Sequence, residues 1–126
     1  MSAHDDPLDV AAHAADDFCY VTTTGRRSGR PHTIEIWFVA YDGAAYLFAQ
    51  HHGSDWVRNL RAGPAVRLRL GDTEVPATAT VVDDPADPRQ HLRTVMADKY
   101  GEYEDDGSPT DFSRTALLVE IRPDRR

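Results

Sequence analysis

Residues 32–50, HTIEIWFVAYDGAAYLFAQ, decide the reading of the fold. The first ten residues alternate so that Ile34, Ile36 and Phe38 share one face, as a strand requires and a helix forbids. Asp42-Gly43 follows, a pair that readily adopts the positive φ angles of a two-residue hairpin turn. A second strand is expected over residues 44–50.

Upstream, residues 18–24 are rich in β-formers and end at Gly25. The segment GRRSGRP that follows, residues 25–31, holds two glycines and a proline and reads as a turn. Three strands joined by tight turns imply an antiparallel meander. Before them, residues 7–16 (PLDVAAHAAD) predict a short helix with Leu8, Ala11, Ala12 and Ala15 as its apolar face.

Downstream, Ser54 is placed to cap a helix over DWVRNLRA, which Gly63-Pro64 stops. Two more strands are expected over residues 65–70 and 73–82, joined at Gly71-Asp72. Asp87-Pro88 opens a helix through Tyr100 with Leu92, Val95, Met96 and Tyr100 on one face. Residues 101–113 read as a polar loop, and residues 115–121 as a closing strand. The expected fold is mainly β (α+β), with six antiparallel strands and about three short helices. Closure into a small barrel is favoured because it removes exposed edges.

A chain of 126 residues forms one domain, 1–126, burying roughly two thirds of the surface its unfolded form exposes. No run of apolar residues is long enough to span a membrane, and the start MSAHDDPLDV lacks the basic and apolar parts of a leader. The single cysteine, Cys19, allows no internal disulfide and fits a reducing compartment, so a cytoplasmic protein is expected. The net charge of −7 argues against a nucleic-acid binder. Lys99 is the only lysine, and three of the arginines crowd into residues 26–30. A small basic spot on an acidic chain suits a small anion.

Two segments are candidates for chemistry. Arg27, Ser28 and Arg30 combine guanidinium forks with a hydroxyl, suited to phosphate or carboxylate, although a solvated turn would look the same. Residues 50–56 (QHHGSDW) run from a strand end into a helix start, where free N–H groups and the helix dipole meet. There Trp56 could wall a flat ring or anchor the helix. Tyr100 and Tyr103, three apart at a helix end, could flank a substrate pocket. No chelating spacing of His and Cys, no nucleophile elbow and no P-loop occurs in the chain.

In order, residues 23–32 (TTGRRSGRPH), a tryptophan-bearing strand, and Trp56-x-x-Asn59-Leu60-Arg61-Ala62-x-Pro64 resemble the deazaflavin-dependent nitroreductase family. That family is related to the flavin-binding split barrels of the pyridoxamine-phosphate-oxidase type. The resemblance covers residues 18–82 and implies a six-stranded split β-barrel, a homodimer, and coenzyme F420 or FMN as cofactor. It places phosphate contacts on Arg27, Ser28, Gln50, His51 and Ser54. The ring would lie along Ile36, Trp37, Ala49 and Gln50, with Trp56 and Asn59 fixing the helix beneath. Tyr100 and Tyr103 match tyrosines on the substrate side of some members. Hydride transfer from reduced F420 to a quinone, nitro compound or enone is the implied activity. An FMN- or haem-binding barrel and a non-catalytic F420 binding or storage protein are the alternatives. Two departures fall on the cofactor face: the loop His51-His52-Gly53-Ser54-Asp55 is short, and Ile34-Glu35-Ile36 stands where the pattern often holds an Asn-Pro pair.

Overall fold

The computed structural model describes residues 8–124. The segment on which the absence of a leader was argued, apart from its last residues, and the first residue of the expected N-terminal helix lie outside them. Seven strands form one antiparallel sheet: β1 (Cys19–Thr24), β2 (Pro31–Ile36), β3 (Phe38–Tyr41), β4 (Ala44–Ala49), β5 (Ala65–Leu70), β6 (Thr73–Val82) and β7 (Leu117–Pro123). Three helices, α1 (Asp55–Ala62), α2 (Leu92–Tyr100) and α3 (Asp111–Thr115), lie between them.

The seventh strand arises because residues 32–41 are not continuous. The chain leaves the ladder at Trp37, dividing the expected strand into β2 and β3. Sheet order is β2-β1-β5-β6-β7-β4-β3, so these two strands, adjacent in sequence, occupy opposite edges. Ile36 and Phe38 are two residues apart, which limits their separation to about 7 Å. The sheet must therefore curl until its edges approach at Trp37, giving a half-barrel. The expected meander is instead two hairpins, β1 with β2 and β3 with β4, held together by the strands between.

The hairpin signals hold. Asp42 and Gly43 take φ angles of 51° and 78°, the left-handed pair that matches the twist of the strands they join. Alternation survives the break: Ile34, Ile36 and Phe38 all pack against the core that one face of all seven strands shares. Val21, Leu47, Leu68 and Ile121 are fully buried there, and α1 adds Val57 and Leu60. A second core lies on the opposite face of β4 and β7, where Tyr46, Phe48 and Leu118 meet Leu92 and Met96 of α2. Covered from both sides, β4 is buried at every position, which is why AAYLFA shows no alternation.

Other expectations are corrected. Residues 7–16 hold only a 3₁₀ turn at Val10–His13; Leu8 and Val10 are buried, while Ala11, Ala12 and Ala15 face solvent. Asp87 caps as expected, accepting from the Arg89 N–H, but the first turn is 3₁₀ and α2 begins at Leu92. Val95 is exposed and Ala97 is buried in its place, because α2 turns Leu92 and Met96 into the second core. The loop over residues 101–113 contains the bridge between Tyr103 and Pro109 and the start of α3. Thr115 ends that helix, so the closing strand starts at Leu117. No helix among the described residues is long and apolar enough to cross a membrane.

Candidate functional site

The β1–β2 turn is a closed unit. Gly25 N–H donates to the Arg30 carbonyl at 2.8 Å, Gly29 N–H to the Gly25 carbonyl at 2.9 Å, and Arg30 N–H to Ser28 Oγ at 3.1 Å. A Cβ at Gly25 would stand 2.6 Å from Ser28 Oγ and 2.9 Å from His32 Nε2, so a larger residue there would push both side chains aside. The turn is fastened to α1 by Asn59, which is 4% exposed. Asn59 Oδ1 accepts from Arg26 N–H at 3.2 Å and Arg26 Nη1 at 2.8 Å, and Nδ2 donates to Thr23 Oγ1 at 3.2 Å. Arg26 Nη2 also reaches Asp55 at 3.4 Å.

Adjacent arginines thus do different work. Arg26 is committed to the protein, whereas Arg27 and Arg30 are exposed and have no carboxylate partner among the described residues. Arg27 and Ser28 line a cavity of about 450 Å³ together with His32, Trp56 and Asn59. Arg30 does not line it.

A second cavity, of about 330 Å³, adjoins this one across Trp56, which lines both. Ile36 and Trp37 come to it from the end of β2, and Ala49, Gln50 and His51 from the end of β4. Ser54 and Trp56 come from the start of α1. The two cavities share Trp56 as a wall and are taken together as one groove, basic at the turn and largely aromatic and aliphatic beyond Trp56, where Glu35, Gln50, His51 and Ser54 also line it. Phe18, Phe48 and Phe112 extend its apolar lining without having been anticipated. Phe112 was read as loop; nothing local marks it, because α3 meets the groove only through the fold.

At the head of α1, Ser54 occupies the cap position but its side chain makes no capping bond. Its Oγ is buried and has no hydrogen-bond partner among the described residues. A buried hydroxyl without a partner is costly unless something satisfies it, and the first N–H groups of α1 open at the same place. His51 and His52 diverge. His51 lines the groove, while His52 turns away and donates from Nε2 to the Thr115 carbonyl at 2.8 Å.

The two tyrosines stand apart from both cavities. Tyr100 stacks on Trp37, and its hydroxyl accepts from Phe38 N–H at 3.1 Å. Its one proton faces the carbonyls of Asp17 at 2.7 Å and Phe38 at 3.0 Å. Burial pushes this phenol up to about 12. Tyr103 is exposed and donates to Asp98. Cys19 is fully buried, and burial pushes its thiol up to about 12, so it holds its proton. Among the described residues no three metal-ligating side chains converge.

Residues 10–121 match the model of a family described as F420H(2)-dependent quinone reductase. The chain belongs to that family. A member from Mycobacterium tuberculosis (strain ATCC 25618 / H37Rv), named F420H(2)-dependent quinone reductase, is 37% identical over 71 residues. That alignment takes in 52% of this chain and 46% of the relative, so the chain spans about half the length of the curated relatives it matches. Among solved structures, an F420-H2 dependent reductase (FDR-A) superposes with a TM-score of 0.65 at 24% identity, covering 85% of this chain and 95% of that one. HutZ, the haem storage protein of Vibrio cholerae, superposes with a TM-score of 0.71 at 17% identity, covering 93% and 89%. At these identities the likeness is one of fold: the split barrel, which other chemistries also occupy.

Proposed function

We propose that the chain is a reductase that holds coenzyme F420 in this groove and passes reducing equivalents to a quinone or a comparable small acceptor. The observation that carries the reading is the meeting of two cavities at Trp56, one holding an unpaired arginine and the other walled mostly by aromatic and aliphatic side chains. The residues present fit a cofactor with an anionic tail and a flat ring. Arg27 and Ser28 would take the anion, with the Ser54 hydroxyl and the head of α1 offering further donors across Trp56. Trp37, Ile36 and Ala49 would border the ring, next to Gln50 and His51. When bound, a reduced deazaflavin supplies a hydride.

The chain's own residues then bind and orient the cofactor. Phe18, Phe48 and Phe112 would border the ring end with apolar surface, and Asn59 with Arg26 keeps the basic turn against α1. Arg30, Tyr100 and Tyr103 enter this reading differently. Arg30 would add long-range attraction, Tyr100 would position Trp37, and Tyr103 would reach an acceptor only from outside the groove. The groove is open, and β2 and β3 are free edges, which supports a homodimer as the working form. With a family of this kind and a buried thiol, we place the protein in the cytoplasm.

The test is a titration of the purified chain with F420 and, in parallel, FMN and haem, following tryptophan fluorescence. F420 binding that weakens about tenfold in Arg27→Ala supports the proposal, the loss of one charge-assisted bond being of that order. Addition of a quinone should then consume reduced coenzyme. Preferential binding of FMN, or a Soret band with haem, would reassign the cofactor, and F420 binding without turnover would make this a carrier.

A further inference from the structure

Behind the groove, on the far side of residues 50–54, lies a separate cavity of about 460 Å³. His51 and His52 stand back to back between them, His51 on the groove and His52 on this cavity. Three arginines from three different helices line it: Arg61 of α1, Arg93 of α2 and Arg114 of α3. In a chain of net charge −7 that convergence is not expected of an idle surface.

The charges there are poorly balanced. Arg114 pairs with Asp111. Arg93 and Arg61 have no carboxylate partner among the described residues, and Asp83 is the one carboxylate on the lining. Arg93 is half-buried; its Nε donates to Gln90 Oε1 at 2.9 Å and its Nη1 to the Ser113 carbonyl at 3.2 Å. Those bonds aim the guanidinium but leave its charge unneutralised, and burial presses its pKa down. Gln90 Nε2 donates to the carbonyls of Val82 at 3.1 Å and Asp84 at 3.0 Å, which keeps its oxygen turned to Arg93. The guanidinium is therefore oriented before any ligand arrives, which lowers the entropy lost on binding.

We propose that this cavity is a second binding site, for a compact polyanion carrying phosphate or carboxylate groups, held by Arg93 and Arg61 with Arg114 at the rim. Planar guanidinium forks bind either oxyanion through paired hydrogen bonds. The site is separate from the proposed cofactor groove and does not depend on that reading.

The experiment is isothermal titration of the full chain with pyrophosphate and, separately, citrate, at low ionic strength. Saturable binding of either probe is expected. Binding of pyrophosphate alone would assign phosphate, and citrate alone would assign carboxylate. Arg93→Gln and Arg61→Gln should each weaken binding about tenfold, whereas Arg27→Ala in the groove should leave it unchanged. The Arg61 side chain is exposed and makes no hydrogen bond among the described residues, so Arg61→Gln tests the site with little effect on folding. Absence of saturable binding, binding untouched by both substitutions, or binding abolished by Arg27→Ala would overturn the proposal.

Discussion

The indole of Trp37 lies flat on the ring of Tyr100, centroids 4.2 Å apart and planes 9° from parallel. Phe112 closes on the indole edge-on at 6.1 Å and 78°. The stack sits where the chain passes from one edge of the sheet to the other, and the Tyr100 hydroxyl bonds the backbone of Phe38 just beyond. One side chain of α2 thus holds both the closure of the half-barrel and a wall of the groove.

Tyr100→Phe should keep the stack and lose the bonds to Phe38 and Asp17. A loss of about 1–2 kcal/mol in urea unfolding is expected, with Trp37 fluorescence little changed. Tyr100→Ala should cost about 3 kcal/mol and shift the emission, since both stack and bonds go. Equal losses in the two variants would show that the stack contributes nothing.

Asn59→Ala should release the basic turn from α1. It strands the Thr23 hydroxyl and the Arg26 N–H and should destabilise by about 1–3 kcal/mol. F420 affinity should fall with it, although on this geometry Asn59 acts by positioning Arg26 and the turn. An Asn59→Ala variant with an unchanged F420 dissociation constant would separate the turn from the binding site.

Acid should weaken the protein through Glu120. Burial would raise this carboxyl, but hydrogen bonds from Arg122, Tyr46 and Arg89 outweigh it and hold it below the ordinary glutamate value. With its folded value lowered, the unfolded chain binds the extra proton as pH falls. The stabilisation is therefore fully present above the unfolded value of about 4.5 and is lost as pH drops through the folded one. Asp87, held at about 2 by the bonds from Arg89, adds to the same limb. Glu120→Gln should cost about 2 kcal/mol at neutral pH, less than a fully buried pair because Arg89 and Arg122 are part-exposed. It should also flatten the acid limb of a stability-against-pH curve measured by thermal melting.

Cys19 should be silent toward a thiol-specific chromogenic reagent in the native state at neutral pH. Its sulfur is 0% exposed and stays protonated, so reaction should wait for unfolding and follow the denaturant curve. Stoichiometric labelling of the folded chain would show that β1 opens locally.

By itself the sequence determined what short-range chemistry controls. The alternation over residues 32–41, the left-handed Asp42-Gly43 pair, the glycine-closed arginine turn and the helix between Ser54 and Gly63 depend on neighbours a few positions away. Gln50, His51, Ser54 and Trp56 could be grouped because a strand end runs into a helix start there, whereas Ile36, Trp37 and Ala49 were joined to them only by the family resemblance.

Tertiary structure alone decided the break at Trp37, because closing the curled sheet requires the chain to change edges there. It decided which cations are free: Arg26 is spent on Asn59, 33 positions away, while Arg27 beside it is not. It turned the Tyr100 hydroxyl onto Phe38, 62 positions away, exposed Val95 by the orientation of α2, and gathered Arg61, Arg93 and Arg114 around one cavity. A side chain's partner at such separation is set by how the sheet curls, and no local pattern of residues encodes it.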